Sequence, residues 1–197
     1  MAIQRESLLT LEAYAKARAG IREQVLAHKK RRTVAVGPSV TLVFEDETTL
    51  RYQIQEMLRI EKTFEEEGIR DELAAYGPLV PDGTNLKATM MIEYADPAER
   101  ARELARLIGI EDRVFLQVGD REPVYAIADE DLDRSNATKT SAVHFLRFEL
   151  PQDAIAAFRR GTPVSIGIDH PNYRTGTIRM APEVQESLAA DFAVPVM

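Results

Sequence analysis

Apolar residues recur every second position in some stretches and every third or fourth in others, and the two periods alternate irregularly along the chain. A doubly wound parallel sheet needs a regular strand–helix–strand beat, which is absent here. The chain is therefore expected to fold as α+β, with a largely antiparallel sheet packed against several helices. Period-two alternation marks strands at 33–36, 40–45, 86–94, 113–118, 124–128, 141–150 and 163–169, with a weaker one near 177–180. Helical spacing marks 6–18, 21–31, 50–66, 69–76, 97–108, 151–160 and 183–191. Gly20 is read as the break between the first two helices, and Gly68 as the stop of the third. Asp96-Pro97-Ala98-Glu99 is a strong helix start: Asp96 caps, and Pro97 sits where a missing N–H costs nothing. Strands 113–118 and 124–128 are expected to form a hairpin around Gly119-Asp120. No repeat or linker divides 1–197, which is read as a single globular domain with a basic helical N-terminal segment over 1–32.

With 197 residues, such a chain can bury roughly 70% of the surface it exposes when unfolded, so it needs no covalent staples. It has no cysteine, which excludes disulfides, thiolate metal sites and a cysteine nucleophile. No apolar run approaches the ~18 residues of a membrane span. The N-terminus has no apolar signal core and carries Glu6 and Glu12, so the expected location is the cytoplasm. Net charge is −7, unevenly placed. Residues 1–32 carry eight Lys/Arg against three Glu, and the remainder seventeen against twenty-nine acids. The basic end is expected to dock on the chain's own acidic body, and nucleic-acid binding has no motif behind it. Phosphate-loop, dinucleotide and nucleophile-elbow motifs are absent. The acidic stretch from Asp129 to Arg134 is not a calcium loop, because Arg134 stands where Gly is required and Thr140 where a bidentate Glu is required.

Two of the three histidines hold unusual phases. On 141–150, His144 alternates with Ala142, Leu146 and Phe148, which places it on the apolar face. His170 follows Val164, Ile166 and Ile168 in the same phase. On helix 50–66, Glu61 falls within the stripe of Ile54, Met57, Leu58 and Phe64, with Gln53 at its margin. A buried carboxylate needs a partner, a proton or a metal. Glu61, His144 and His170 are therefore the candidate ligands of a divalent ion such as Fe, Zn or Mn. Gln53, Glu56, Arg147, Asn85 and Lys87 are candidate ligand-binding residues, the last two through the polar turn Pro81-Asp82-Gly83-Thr84-Asn85. A Glu–His or Glu–Arg pair that only fixes packing accounts for the same pattern. His28, at the end of the basic helix, reads as a helix-terminal cation.

Four blocks carry a resemblance: Tyr52-Gln53-Ile54-Gln55-Glu56-Met57-Leu58-Arg59-Ile60-Glu61, Asp82-Gly83-Thr84-Asn85-Leu86-Lys87-Ala88-Thr89, Ser141-Ala142-Val143-His144-Phe145-Leu146-Arg147-Phe148-Glu149 and Asp169-His170-Pro171. Together with Ala27-His28-Lys29-Lys30 they resemble an uncharacterised bacterial family, domain of unknown function 3501, over nearly the whole chain. The resemblance implies a genomic association with rubrerythrin-like and iron–sulfur proteins, and no established activity. Three functions stay open at this point: a metal- or small-anion-binding accessory protein beside redox or iron–sulfur partners, an enzyme using a buried Glu/His site, and an interaction module without its own ligand.

Overall fold

The computed structural model describes residues 3–130, 134–136 and 138–193; part of the acidic stretch after Asp129 lies outside them. The fold is α+β. Two antiparallel sheets and six α-helices make up the described residues.

The first helix, α1 (Leu11–Lys30), is unbroken and capped by Thr10, whose hydroxyl accepts from Ala13 N. The expected break at Gly20 does not occur. A helical glycine costs only about 1 kcal/mol relative to alanine, and Tyr14 and Val25 anchor the helix on either side of it. Strands β1 (Thr33–Ala35) and β2 (Val40–Phe44) follow. Helix α2 (Glu47–Glu61) starts at a reciprocal box between Asp46 and Thr49 and stops at Lys62, whose φ of 56° turns the chain out of the helix. The stop comes well before Gly68. Phe64 therefore lies beyond the helix and is 73% exposed, although helical spacing placed it in the stripe.

Helix α3 (Glu66–Tyr76) leads into β3 (Asn85–Ile92), α4 (Pro97–Arg106) and β4 (Val114–Val118). Then come β5 (Val124–Tyr125), β6 (Ile127–Ala128), β7 (Val143–Glu149) and α5 (Gln152–Arg159). The chain continues through β8 (Val164–His170), β9 (Tyr173–Arg174), β10 (Ile178–Arg179) and α6 (Pro182–Ala189). The first sheet runs β1-β2-β3-β7-β6, and the second β10-β8-β4-β5 with β9 on β8.

The expected hairpin after β4 is only half formed. β5 pairs with β4, but after Ala126 the chain crosses over, so that Ile127 and Ala128 pair with Arg147 and Leu146 of β7. This change of sheet sets the position of the candidate site.

Alternation along the first sheet separates two faces. Leu42, Phe44, Leu86, Met90, Leu146 and Phe148 point into the main core, shared with Leu116, Ile166 and Ile168 of the second sheet. Val43, Thr89, Met91, Val143 and Phe145 point the other way, toward α1, α2 and α3. Those helices gather around a smaller cluster that includes Leu8, Leu50, Ile54, Leu58 and Ile69.

Glu56 ties α1 to α2. It accepts from Arg18 Nε at 2.7 Å and Nη2 at 2.9 Å, from the Tyr14 hydroxyl at 2.6 Å and from Arg59 at 3.2 Å. The Arg18 bonds lead in pulling its pKa from 4.5 down to about 2. Because the folded value lies below the unfolded one, this contribution is complete above pH 4.5 and fades as pH falls toward 2. Glu56→Gln is expected to cost about 1 kcal/mol at neutral pH, solvent screening included, and nothing near pH 2. Urea unfolding of both proteins across that range checks it.

Candidate functional site

Three segments deliver one buried polar cluster. The 3-10 turn Ile110–Arg113 ahead of β4 brings Glu111, the end of β6 brings Asp129, and the core face of β7 brings His144. One donor atom from each lies within 4.8 Å of the others. His144 is fully buried, and the Glu111 and Asp129 side chains are 9% exposed.

The imidazole sits between the two acids. Nδ1 lies 2.5 Å from Asp129 Oδ2, while Nε2 lies 2.9 Å from Thr140 Oγ1, 3.1 Å from Ser141 O and 3.9 Å from Glu111 Oε2. Ser135 Oγ donates to Glu111 Oε1 at 2.5 Å and lies 2.8 Å from Thr140 Oγ1. Thr140 Oγ1 also reaches Glu111 Oε2 at 3.3 Å. A carbonyl only accepts, so the Ser141 contact makes Nε2 a donor, while Nδ1 faces the Asp129 carboxylate.

Asp129 works with its backbone and both oxygens. Its N–H donates to Phe145 O at 2.9 Å, and Oδ1 accepts from Phe145 N at 2.9 Å and from Arg134 at 3.3 Å. Its φ of 48° is unusual for a residue with a side chain, although Asp tolerates it better than most. Glu111 has no Lys or Arg within ion-pair distance among the described residues. Excess negative charge is felt nearby: partial desolvation, then the charges of Glu111 and Asp129, push the Asp112 carboxyl above its ordinary value.

The acid–imidazole–hydroxyl order Asp129–His144–Thr140 matches that of an acyl-transfer triad. Thr140 is only 1% exposed and His144 is fully buried, so no substrate carbonyl reaches the hydroxyl in this conformation. One imidazole and two carboxylate oxygens are, in contrast, ordinary ligands for a divalent transition ion.

Of the three ligands expected from the sequence, only His144 belongs to this cluster. Glu61 is the exposed last residue of α2, and among the described residues no cluster of metal-ligating groups joins it to His144 or His170. The phase argument placed it correctly on the stripe, but the buried packing ends at Leu58, one turn earlier. His170 is buried with neutral partners: Nε2 donates to Ile108 O at 3.1 Å, and Nδ1 accepts from Asn172 N at 3.2 Å. It staples β8 to the loop after α4.

The other candidates are dispersed. Gln53 lines a cavity on the outer face of the first sheet, and Glu56 joins α1 to α2. Arg147 is paired with Glu130 at 2.8 Å and Glu149 at 2.5 Å. Asn85 Nδ2 donates to Asp82 at 2.8 Å, and the Lys87 ammonium to Pro78 O. His28 is 2.6 Å from Asp46 Oδ2, and Arg32 reaches Asp191 and Asp46, so part of the basic end docks on acids of the same chain. Sequence reasoning missed Glu111 and Asp129. Glu111 lies in a 3-10 turn without a helical stripe, and Asp129 opens an acidic stretch weighed as a calcium loop and set aside.

Fold and cluster together define an α+β protein built around a buried histidine–carboxylate centre. The chain belongs to the family described as Protein of unknown function (DUF3501), whose model matches residues 2–192. It is similar to a crystal structure of a novel protein of unknown function from Burkholderia pseudomallei K96243. That likeness has 61% identity and a TM-score of 0.94, over 98% of this chain and 100% of that one. No curated protein matches the chain. Among the described residues, no helix is long and apolar enough to cross a membrane.

Proposed function

We propose that this chain is a metal-binding accessory protein holding one divalent ion of iron, zinc or manganese with Glu111, Asp129 and His144. The observation that carries the reading is the meeting of three metal-type donors within 4.8 Å in a buried, net acidic setting. One side chain comes from each of three segments far apart in sequence, and Asp129 holds a left-handed backbone to reach the site. An ion there takes the place of the hydrogen bonds that hold imidazole and carboxylates together, and because its ligands must be deprotonated, binding weakens as pH falls. The partner class that fits is a redox or iron–sulfur protein, in keeping with the association that the family resemblance implies.

Protein purified without an affinity tag is expected to carry, or to take up, one ion per chain. At a hundredfold excess of free metal over Kd, the fold gains about 2.7 kcal/mol, read as a rise in melting temperature with Fe(II), Zn(II) or Mn(II). His144→Ala and Glu111→Gln abolish both uptake and rise, whereas Glu61→Gln and His170→Asn leave uptake unchanged. Metal well below one per chain, with no thermal shift from any of the three ions, overturns the reading.

A further inference from the structure

The outer face of the first sheet carries a second concave site, separated from His144 by the thickness of β7. Its volume is about 270 Å³. The floor is apolar, formed by Val43, Met91, Val143 and Phe145, and α2 contributes Leu50 to the wall. Val143, the first residue of β7, leaves 40% of its surface exposed on this floor.

Two opposite charges line this cavity without meeting. Glu45 is 8% exposed. Its Oε1 accepts from the Thr89 hydroxyl at 2.6 Å and its Oε2 from the Thr49 hydroxyl at 2.5 Å. A carboxylate has room for about four such bonds. Both donors are neutral, and no Lys or Arg lies within ion-pair distance among the described residues. Lys29, half-buried at the end of α1, lines the same cavity, and its ammonium has neither hydrogen bond nor ion pair among the described residues. The Gln53 amide and Tyr76 hydroxyl also line the cavity, without side-chain partners among the described residues. A largely buried anion lacking a countercharge, a free cation and unused polar groups around an apolar floor describe a binding pocket.

We propose that this cavity binds a small zwitterion with an apolar body, of the α-amino-acid class. Its ammonium meets Glu45, its carboxylate meets Lys29, and its side chain covers Val143 and Phe145. Either charge alone would suit a simple amine or acid, but the two lining one cavity select a molecule that carries both. This site lies on the opposite face of β7 from the histidine–carboxylate cluster and stands independently of the metal reading.

The test is titration of the full chain with L-phenylalanine and L-leucine, followed by methyl and amide NMR. Phenethylamine and 3-phenylpropanoate serve as single-charge controls. Saturable shifts at Val143, Met91 and Phe145 are expected, with both controls weaker by about tenfold or more. Glu45→Gln and Lys29→Met each weaken binding of L-phenylalanine by a similar factor. Val143→Arg, a change at an exposed position that the fold tolerates, blocks it. His144→Ala leaves it intact, which separates failure here from failure at the metal centre. No saturable shift with either amino acid up to about 10 mM overturns the proposal. So does binding that Glu45→Gln and Val143→Arg leave unchanged.

Discussion

Arg32→Met is expected to destabilise the protein by about 3–5 kcal/mol at neutral pH, the range for breaking a buried ion pair from one side. Arg32 is 1% exposed, and its guanidinium joins parts of the chain that are far apart in sequence. Nε donates to Phe44 O at 2.9 Å, and Nη2 to Glu45 O at 3.1 Å and Asp191 Oδ2 at 2.5 Å. Nη1 reaches Ser187 O at 3.3 Å and Asp46 Oδ2 at 3.5 Å. Methionine fills much of the volume but leaves carbonyls unpaired and the Asp191 carboxylate without its ion-pair partner. Burial already pushes Asp191 above its ordinary value against the pull of Arg32.

Without the guanidinium, the folded state favours a protonated Asp191 still more, so stability recovers as pH falls and protonation becomes easy. The difference between the two proteins in urea should therefore be largest near pH 7 and smaller near pH 4. Arg32→Lys keeps the charge without the planar fork and should recover only part of the loss. A loss under 1 kcal/mol for Arg32→Met would mean that this knot does not hold the end of α6 to β2.

The fold was legible where one period ran long enough to be unambiguous. The seven-residue alternation of β7 gave both the strand and the inward face of His144, and the Asp96-Pro97 start of α4 was read correctly. What failed was reasoning about ends. Glycine at 20 weakens a helix without stopping it when apolar residues on both sides dock, and Lys62 ended α2 without a glycine. That early stop is why Glu61 is exposed.

The rule that a buried acid must have company was sound, but it was applied to the wrong residue. The acids that meet it are Glu111, Glu45 and Asp191. None of them lies on a helical stripe, so periodicity carries no signal for them. Asp129 depends on the sheet change at Ala126, where a backbone bond from Ala126 N to Val114 O is followed by pairing with a different sheet. Two-residue strands leave no period to read.

Asp129 supports the most discriminating experiment on the metal centre, because its backbone and side-chain contributions can be separated. Asp129→Ala combines two losses. It forces alanine into a left-handed conformation, at about 1–2 kcal/mol, and leaves His144 Nδ1 and Phe145 N without their carboxylate. Together these should cost about 3–5 kcal/mol by chemical denaturation. Asp129→Gly removes the same side chain without backbone strain, so it should be less damaging than alanine yet still well below the native protein. Asp129→Asn keeps an oxygen for Phe145 N and tolerates the positive φ, so it should be the most stable of the three.

Metal uptake should follow a different order. Asn offers a neutral amide oxygen in place of a charged ligand and should bind weakly, while Gly and Ala, with no ligand atom at all, should both fail. Stability and binding then rank the variants differently, as no purely structural role for Asp129 would require. If Asp129→Gly proved as stable as the native chain and took up metal as well, the carboxylate would have no part in the centre, and only the left-handed turn would need this position.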